Sequence, residues 1–582
     1  MPTTKRLKCL LEEHYKIPFP ILSILVGNLP QVSSAIKDVT DETLEDSQII
    51  KAPKEDGWNK VGMDEMDEEP VPSAADIITR SPSPNIPIHD SYLISCSAGG
   101  RSILLAYKTK FVMVKLNNEG EYSAIGQGSG CQPGILFGSE EITSILCLPL
   151  FVPSTRLTIN YVMCGYNTGW VRVFSELGAL LTEQQLELTP VISIKIRTPP
   201  PVVKVSQGHT LTEDEDITIL FRGNRVVSID GQSLWMVLRV CDGQRESGID
   251  ASRMHTAFTY KKWDLQHQKE VKDIASLGPS PTYSMTPFLD PTNTTTTTEA
   301  LPSSSRNATS RYIAVGSQPM LSYYATSESS RPLMSPTTMA SYVVSRVTSP
   351  VFSFAKSWWG GNTTHPSGPQ SPTPYVPDMH RPPSHIEPAT VIPSILSVND
   401  PLRHINTISV CPPSTSAQRQ TLAATCDALG RVILWDVLQG EMIRMWKGVR
   451  DAVCGWVEVF EHELYQVEST VQPPKVLLFL VMYTSKRGHL KIFQMRHGNQ
   501  VGAFHVGSGW QLVPCAREPL GSSMVSPERR KSPADKNEYG GLSNCLMVGP
   551  DGEVRKVKIV LKDAQHTVQM DDMPTTQEEN AL

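Results

Sequence analysis

At 582 residues and 64.2 kDa the chain exceeds what one ordinary domain needs, so several units or one large repeat fold are expected. A formal charge of −6 and a pI near 6.2 provide no overall basic field, which argues against a general nucleic-acid binder. Hydrophobic residues at 40% suffice for a sizeable core, but charged residues reach only 19%; 46 Pro and abundant Ser and Thr fill the difference, which predicts long unstructured segments.

Residues 1–85 read as a disordered acidic leader. They contain the cluster Asp64-Glu65-Met66-Asp67-Glu68-Glu69 and end in Arg80-Ser81-Pro82-Ser83-Pro84, a composition that cannot bury enough apolar surface to offset ordering entropy. The cluster either docks on a basic partner or is a solvated run. The longest apolar stretch, 17–29, is broken by Pro18 and Pro20 and falls short of a membrane span. Lys5, Arg6 and Lys8 are followed by Glu12 and Glu13, which suits neither a secretory signal nor a transit peptide. Eleven Cys without a Cys-x-x-Cys pair read as free thiols of a reducing compartment, so a soluble, intracellular protein is expected.

From Asp90 short β-rich runs follow one another at 91–97, 102–107, 110–116, 142–148, 160–165 and 169–174, separated by Gly and polar pairs. Two Ser/Thr/Pro-rich insertions interrupt the series, at 278–311 and 327–393, with the strand signal Tyr312-Ile313-Ala314-Val315 at their junction. Strands resume at Thr407 and continue to about 561, and 566–582 read as a disordered tail.

An internal repeat organises the β region, 86–565. Gly169-Trp170-Val171-Arg172-Val173-Phe174, Gly430-Arg431-Val432-Ile433-Leu434-Trp435, Gly488-His489-Leu490-Lys491-Ile492-Phe493 and, more weakly, Gly552-Glu553-Val554-Arg555-Lys556-Val557 each follow an apolar run. Gly permits a positive φ at the turn, and period-2 alternation sends Val171 and Val173, or Leu490 and Ile492, to one face. Trp435-Asp436 occupies the place of the Trp-Asp dipeptide of WD40 repeats. The pattern predicts an all-β, WD40-like β-propeller of roughly seven blades, with a β-sandwich as the alternative.

Catalytic signatures are missing from the sequence: there is no phosphate-binding Gly-x-x-x-x-Gly-Lys-[Ser/Thr], no His-Glu-x-x-His, no paired Cys spacing and no Gly-x-Ser-x-Gly. No catalytic residue, metal ligand or cofactor is therefore assigned, and His404, His489 and His505 read as surface or packing residues. Phe221-Arg222-Gly223 invites comparison with the Phe-Arg-Arg-Gly motif of phosphoinositide-binding propellers, but the second Arg is missing and a plain turn is the reading. Residues 442–451 combine Arg444, Lys447 and Arg450 with Trp446 and two Met, a mixture that is either a partner-binding edge or a solvated outer strand. Residues 339–359 place apolar side chains at a four-residue spacing, among them Val343 and Val347, and end in Trp358-Trp359. That spacing suits a helix on a membrane or partner, although Pro350 would kink it; a packed helix or a disordered segment is the competing reading.

Several collinear stretches resemble the N-terminal half of the non-catalytic, regulatory subunits of Rab-3 GTPase-activating complexes. They are 165–181 (GYNTGWVRVFSELGALL), 227–241 (VSIDGQSLWMVLRVC), 260–266 (YKKWDLQ), 312–325 (YIAVGSQPMLSYYA), 426–457 (CDALGRVILWDVLQGEMIRMWKGVRDAVCGWV) and 487–507 (RGHLKIFQMRHGNQVGAFHVG), with Asp56-Gly57-Trp58 in the leader. The resemblance implies a WD40-like propeller followed by a long helical half, which a chain ending at Leu582 would lack. It implies a heterodimer whose catalytic subunit supplies the Arg for GTP hydrolysis on Rab-3, with Rab-family GTPases as further partners, associated Rab-18 nucleotide exchange, and roles in membrane traffic and autophagy. It also implies a cytoplasmic protein with peripheral contact at endoplasmic reticulum membranes. A stand-alone phosphoinositide-binding propeller of the autophagy type is the alternative.

Overall fold

The computed structural model describes residues 6–18, 21–22, 25, 92–117, 120–129, 140–152, 155, 157–198, 215–248, 258–279, 309–327, 386–413, 421–465, 475–495, 498–515, 520–521 and 542–562. The chain begins with β1 (Arg6–Lys16), then β2 (Leu93–Cys96), β3 (Ser102–Tyr107), β4 (Lys110–Leu116) and β5 (Tyr122–Ser129). Next come β6 (Ile142–Val152), β7 (Leu157–Tyr166), β8 (Trp170–Phe174), β9 (Leu180–Gln185), β10 (Val191–Arg197), β11 (Asp216–Phe221) and β12 (Arg225–Asp230). Helix α1 (Gly231–Glu246) precedes β13 (Tyr260–Leu265), β14 (Glu270–Pro279), β15 (Thr309–Ser317), β16 (Leu321–Ser327), β17 (Thr390–Ile392) and β18 (Leu396–Val398). Strands β19 (Ile405–Val410), β20 (Leu422–Asp427), β21 (Arg431–Asp436), β22 (Glu441–Lys447) and β23 (Ala452–Phe460) lead to α2 (Glu461–Tyr465). The described chain closes with β24 (Val476–Thr484), β25 (His489–Gln494), β26 (Gln500–His505), β27 (Gln511–Cys515), β28 (Asn544–Val548) and β29 (Glu553–Lys562).

Five sheets repeat one plan, a four-stranded antiparallel meander, in a propeller-like arrangement: β6–β9, β10–β13, β14–β15–β16–β18, β19–β22 and β23–β26. The second of these carries β17 as a fifth strand, parallel to β13. A sixth sheet has eight strands in the order β1-β29-β28-β27-β2-β3-β4-β5, its two halves joined by the single parallel pair Cys96↔Cys515.

Period-2 alternation explains how these strands pack. In β21, Val432 and Leu434 enter one core with Trp456, Leu480 and Phe493, while Ile433 and Trp435 enter another with Ile313, Ile405 and Ala423. Strand β3 behaves alike, with Ile103 and Leu105 on one side and Leu104 and Ala106 on the other. Both faces of these inner strands are therefore buried, which is why they read as near-continuous apolar runs, whereas β22 and β26 keep exposed positions. Burying one such Val, Leu or Ile contributes roughly 1.5–3 kcal/mol.

The four repeats of the sequence fall at one structural position. Gly169, Gly430, Gly488 and Gly552 have φ of +78°, +81°, +65° and +78°, and the strands that follow, β8, β21, β25 and β29, are third in their meanders. Trp435 is buried with its Nε1 donating to Thr425 Oγ1 at 2.8 Å.

Three features correct the sequence expectations. The leader is not wholly unstructured: β1 pairs antiparallel with β29 from Arg6↔Lys562 to Lys16↔Glu553, and Cys9, Ile17, Ile21, Leu22 and Leu25 are buried. Averaging over residues 1–85 hid this strand, because its hydrogen-bonding partner lies at the other end of the sequence. Strands β17 and β18 form before Thr407, β17 inside the expected insertion 327–393, and both edges of 278–311 are strand residues. The helix α1 was not anticipated; Asp230 caps it by accepting from Ser233 N at 2.8 Å, and Leu234, Leu238 and Cys241 bury one face. Residues 566–582, the acidic cluster and the greater part of both insertions lie outside the described residues. The ten described Cys are buried free thiols.

Candidate partner-binding rim

Strand β22 is the outermost strand of its sheet. Asp436 sets its start: Oδ1 accepts from Leu438 N at 3.0 Å and Gln439 N at 3.3 Å, closing the turn that reverses β21 into β22. Along β22, residues 441–444 are exposed, Met445 and Trp446 are half-buried, and Lys447 is exposed. Met445 packs with the cluster around Ile405 and Trp435, whereas Trp446 packs with the cluster around Val432 and Phe493, its ring centroid 5.2 Å from that of Phe493. Trp446 is thus wedged between β22 and the next sheet, half-buried rather than on a fully exposed edge: an outer strand still needs one large side chain to seal the gap to its neighbour.

Of the four sequence candidates, Lys447 and Arg450 lie at or just beyond the end of β22, while Arg444, at its midpoint beside Trp446, reaches towards the opposite end of the next sheet. Arg444 stacks over Trp446 at 5.1 Å and donates from Nη1 to Gly498 O at 2.8 Å, in the turn between β25 and β26. Lys447 and Arg450 are both exposed. Arg450 covers Gly430, where an added Cβ would come within 2.5 Å of Arg450 Cγ.

The Lys447 end of β22 is joined by cations the sequence reading did not assemble. Arg487 Nη1 reaches Gly448 O at 3.4 Å, and Lys486 pairs with Asp451 at 3.0 Å with a side chain 79% exposed, a contact that contributes little to stability. His489 and His505 face each other across β25 and β26, ring centroids 5.1 Å apart. The imidazole of His489 is held below its ordinary range by partial burial and then by His505, Lys491 and Arg487. Arg431, Lys447, Arg450, Lys486, Arg487 and Lys491 therefore form a basic corner across two adjacent sheets. A signal for it existed in the repeats: Gly430-Arg431 and Gly488-His489 occupy equivalent turns, so their flanking cations share one end of the fold.

Two charge clusters elsewhere serve the framework. Arg172, 2% exposed, pairs with Glu140 and Glu183 at 2.9 Å each and lies 4.4 Å from the Tyr166 ring centroid. Lys262 Nζ holds Glu187 at 2.8 Å and Leu186 O at 2.8 Å. Buried ion pairs of this kind are satisfied locally and reactive groups are not exposed by them. Phe221-Arg222-Gly223 forms the hairpin turn between β11 and β12, with Phe221 buried and Gly223 at φ +87°. His404 is exposed. Among the described residues no group of three His, Cys, Asp or Glu could hold a metal ion, and no helix is long and apolar enough to cross a membrane. Val343, Val347, Trp358 and Trp359 lie outside the described residues.

Residues 89–513 match the family model described as the Rab3 GTPase-activating protein regulatory subunit N-terminus. Among solved structures, the chain is similar to Raptor of Chaetomium thermophilum at 8% identity and a TM-score of 0.35, covering 81% of this chain and 28% of that one.

Proposed function

The chain belongs to the Rab3 GTPase-activating protein regulatory subunit family, and on that premise we propose that it is a non-catalytic scaffold positioning a catalytic GTPase-activating subunit against a Rab GTPase. The family match over 89–513 carries this reading; it spans the basic corner and all five blade-like sheets. In this proposal the scaffold is the propeller, and the eight-stranded sheet counts as two blades, for a total of seven. Two observations support that count: the halves meet through one residue pair, and a core containing Cys96, Ile103, Val513 and Leu546 lies between them. The finer roles that we attach to the complex are Rab-3 GTP hydrolysis, Rab-18 nucleotide exchange, and service in membrane traffic and autophagy. The assembly is a heterodimer acting in the cytoplasm and at endoplasmic reticulum membranes.

The basic corner is the face we assign to the catalytic subunit. Exposed cations contribute little to folding, so packing does not account for the exposed members of this cluster; complementary charge on a partner raises encounter rates and fixes orientation. The test is co-purification of the catalytic subunit with the full chain and with the triple variant Lys447→Glu, Arg450→Glu, Arg487→Glu. The variant is expected to melt like the parent, because exposed substitutions change stability by less than about 0.5 kcal/mol each. Its affinity for the subunit is expected to fall by about tenfold or more at moderate salt. Capture of the subunit at undiminished affinity would overturn the assignment of the corner; failure of the parent chain to capture it would overturn the scaffold reading.

A further inference from the structure

At the end of β22 opposite the basic corner, a cleft of about 200 Å³ opens between the sheet β14–β15–β16–β18 and the turn joining β21 to β22. Arg311, Tyr323, Ile395, Leu396, Leu438 and Gly440 line it. Ile395, Leu396 and Leu438 are 68%, 48% and 47% exposed, an apolar rim with polar groups at its base. Gly440 keeps the cleft open: at φ +73° it carries no side chain, and a Cβ there would sit 3.2 Å from Leu396 Cδ2.

Two donors at the base are unanswered. Arg311 Nε and Tyr323 Oη are buried and find no hydrogen-bond partner among the described residues. Arg311 is half-buried, and its charge is opposed first by that burial and then by the neighbouring guanidinium of Arg197, which lies over Gly278, the β14 partner of Arg311. Arg197 itself has Asp216 at 3.6 Å. Burial, and then Asp436, pushes the Tyr323 phenol up to about 12, so it remains a donor at neutral pH. Buried polar groups are nearly always paired, and a half-buried guanidinium is paired best by a carboxylate.

We infer that this cleft docks an extended segment of a partner protein in which one acidic side chain reaches Arg311 and Tyr323 while flanking apolar side chains cover Ile395, Leu396 and Leu438. The volume favours this occupant over a small-molecule ligand, since drug-sized ligands occupy roughly 300–1,000 Å³. A membrane surface is disfavoured because lipid headgroups are met by clusters of exposed cations, not by one guanidinium at the base of a cleft. The site lies apart from the basic corner and goes beyond the scaffold reading.

The test pans a random decapeptide display library on the full chain and measures binding of the enriched peptides by fluorescence polarisation. Enriched sequences are expected to share an acidic residue flanked by apolar ones. Their binding should weaken by about tenfold or more in Arg311→Gln and in Leu396→Asp, and stay unchanged in Arg222→Glu, at an exposed hairpin turn. Arg311→Gln should melt no lower than the parent, because it removes an uncompensated charge; a fall in melting temperature would mark Arg311 as a framework residue and overturn the inference. Enrichment without acidic residues, or binding indifferent to Arg311→Gln, would overturn it as well. A chain that takes up no peptide would do the same.

Discussion

Trp446 and Arg444 stack on one another, yet they serve different ends. The ring fills the space against Phe493, and the guanidinium crosses to Gly498 in the next sheet. Truncating a fully buried Trp costs about 3–5 kcal/mol; a half-buried ring forfeits part of that, so Trp446→Ala should destabilise by roughly 2–3 kcal/mol. Trp446→Phe, which retains most of the contact with Phe493, should recover the larger part. Thermal melts of both variants, with partner capture normalised to folded protein, separate packing from recognition. Unchanged melting with capture reduced tenfold would make the ring an interface anchor after all. The sequence offered both readings of Trp446 because alternation assigns it a face of β22 but says nothing of what stands opposite. Strand β25, in the next sheet, begins two strands and a helix later, and only the sheet-on-sheet stacking brings Phe493 to the ring.

At the scale of elements, what was legible was local. The glycines that open β8, β21, β25 and β29 announce themselves by a positive-φ turn followed by alternating apolar residues, and each turn is complete within a few positions. Strand β1 carries no such local mark, because its ladder is made with β29. Helix α1 did carry one, an Asp N-cap before Leu234, Leu238 and Cys241, but a β-rich context on either side obscured it. The pairing of β1 with β29 closes a sheet with segments from the two ends of the described chain, so β1 should contribute far more to stability than an isolated edge strand. Deleting residues 1–25 removes Cys9, Ile17, Ile21, Leu22 and Leu25 from two cores. At about 1.5–3 kcal/mol for each large aliphatic side chain, the loss amounts to roughly 6–12 kcal/mol. The truncated chain is therefore expected to melt well below the parent and to expose β29 to proteases. A truncated chain with the parent's melting temperature and protease resistance would show that β1 is dispensable.

For the whole molecule, the division between framework and rim bears on catalysis. Arg172 and Lys262 are held in buried pairs within the framework, while under the proposed function the exposed cations of the basic corner meet a partner. An arginine that accelerates GTP hydrolysis must reach the transferring phosphate in a water-excluded site, where it contributes about 10³–10⁵ in rate. Arg444, Lys447 and Arg450 stand on the outermost strand of a sheet or just beyond it, and a partner that met them there would bury a broad surface instead of admitting one side chain to a nucleotide pocket. The purified chain on its own should consequently leave single-turnover GTP hydrolysis by Rab3 at its intrinsic rate. Acceleration beyond about tenfold, equivalent to about 1.4 kcal/mol of barrier, would locate catalytic capacity in this chain. Adding the catalytic subunit should then raise the rate, and the corner variant Lys447→Glu, Arg450→Glu, Arg487→Glu should blunt any increment that this chain brings to the pair. If the increment survives those reversals intact, the two subunits meet elsewhere on the propeller.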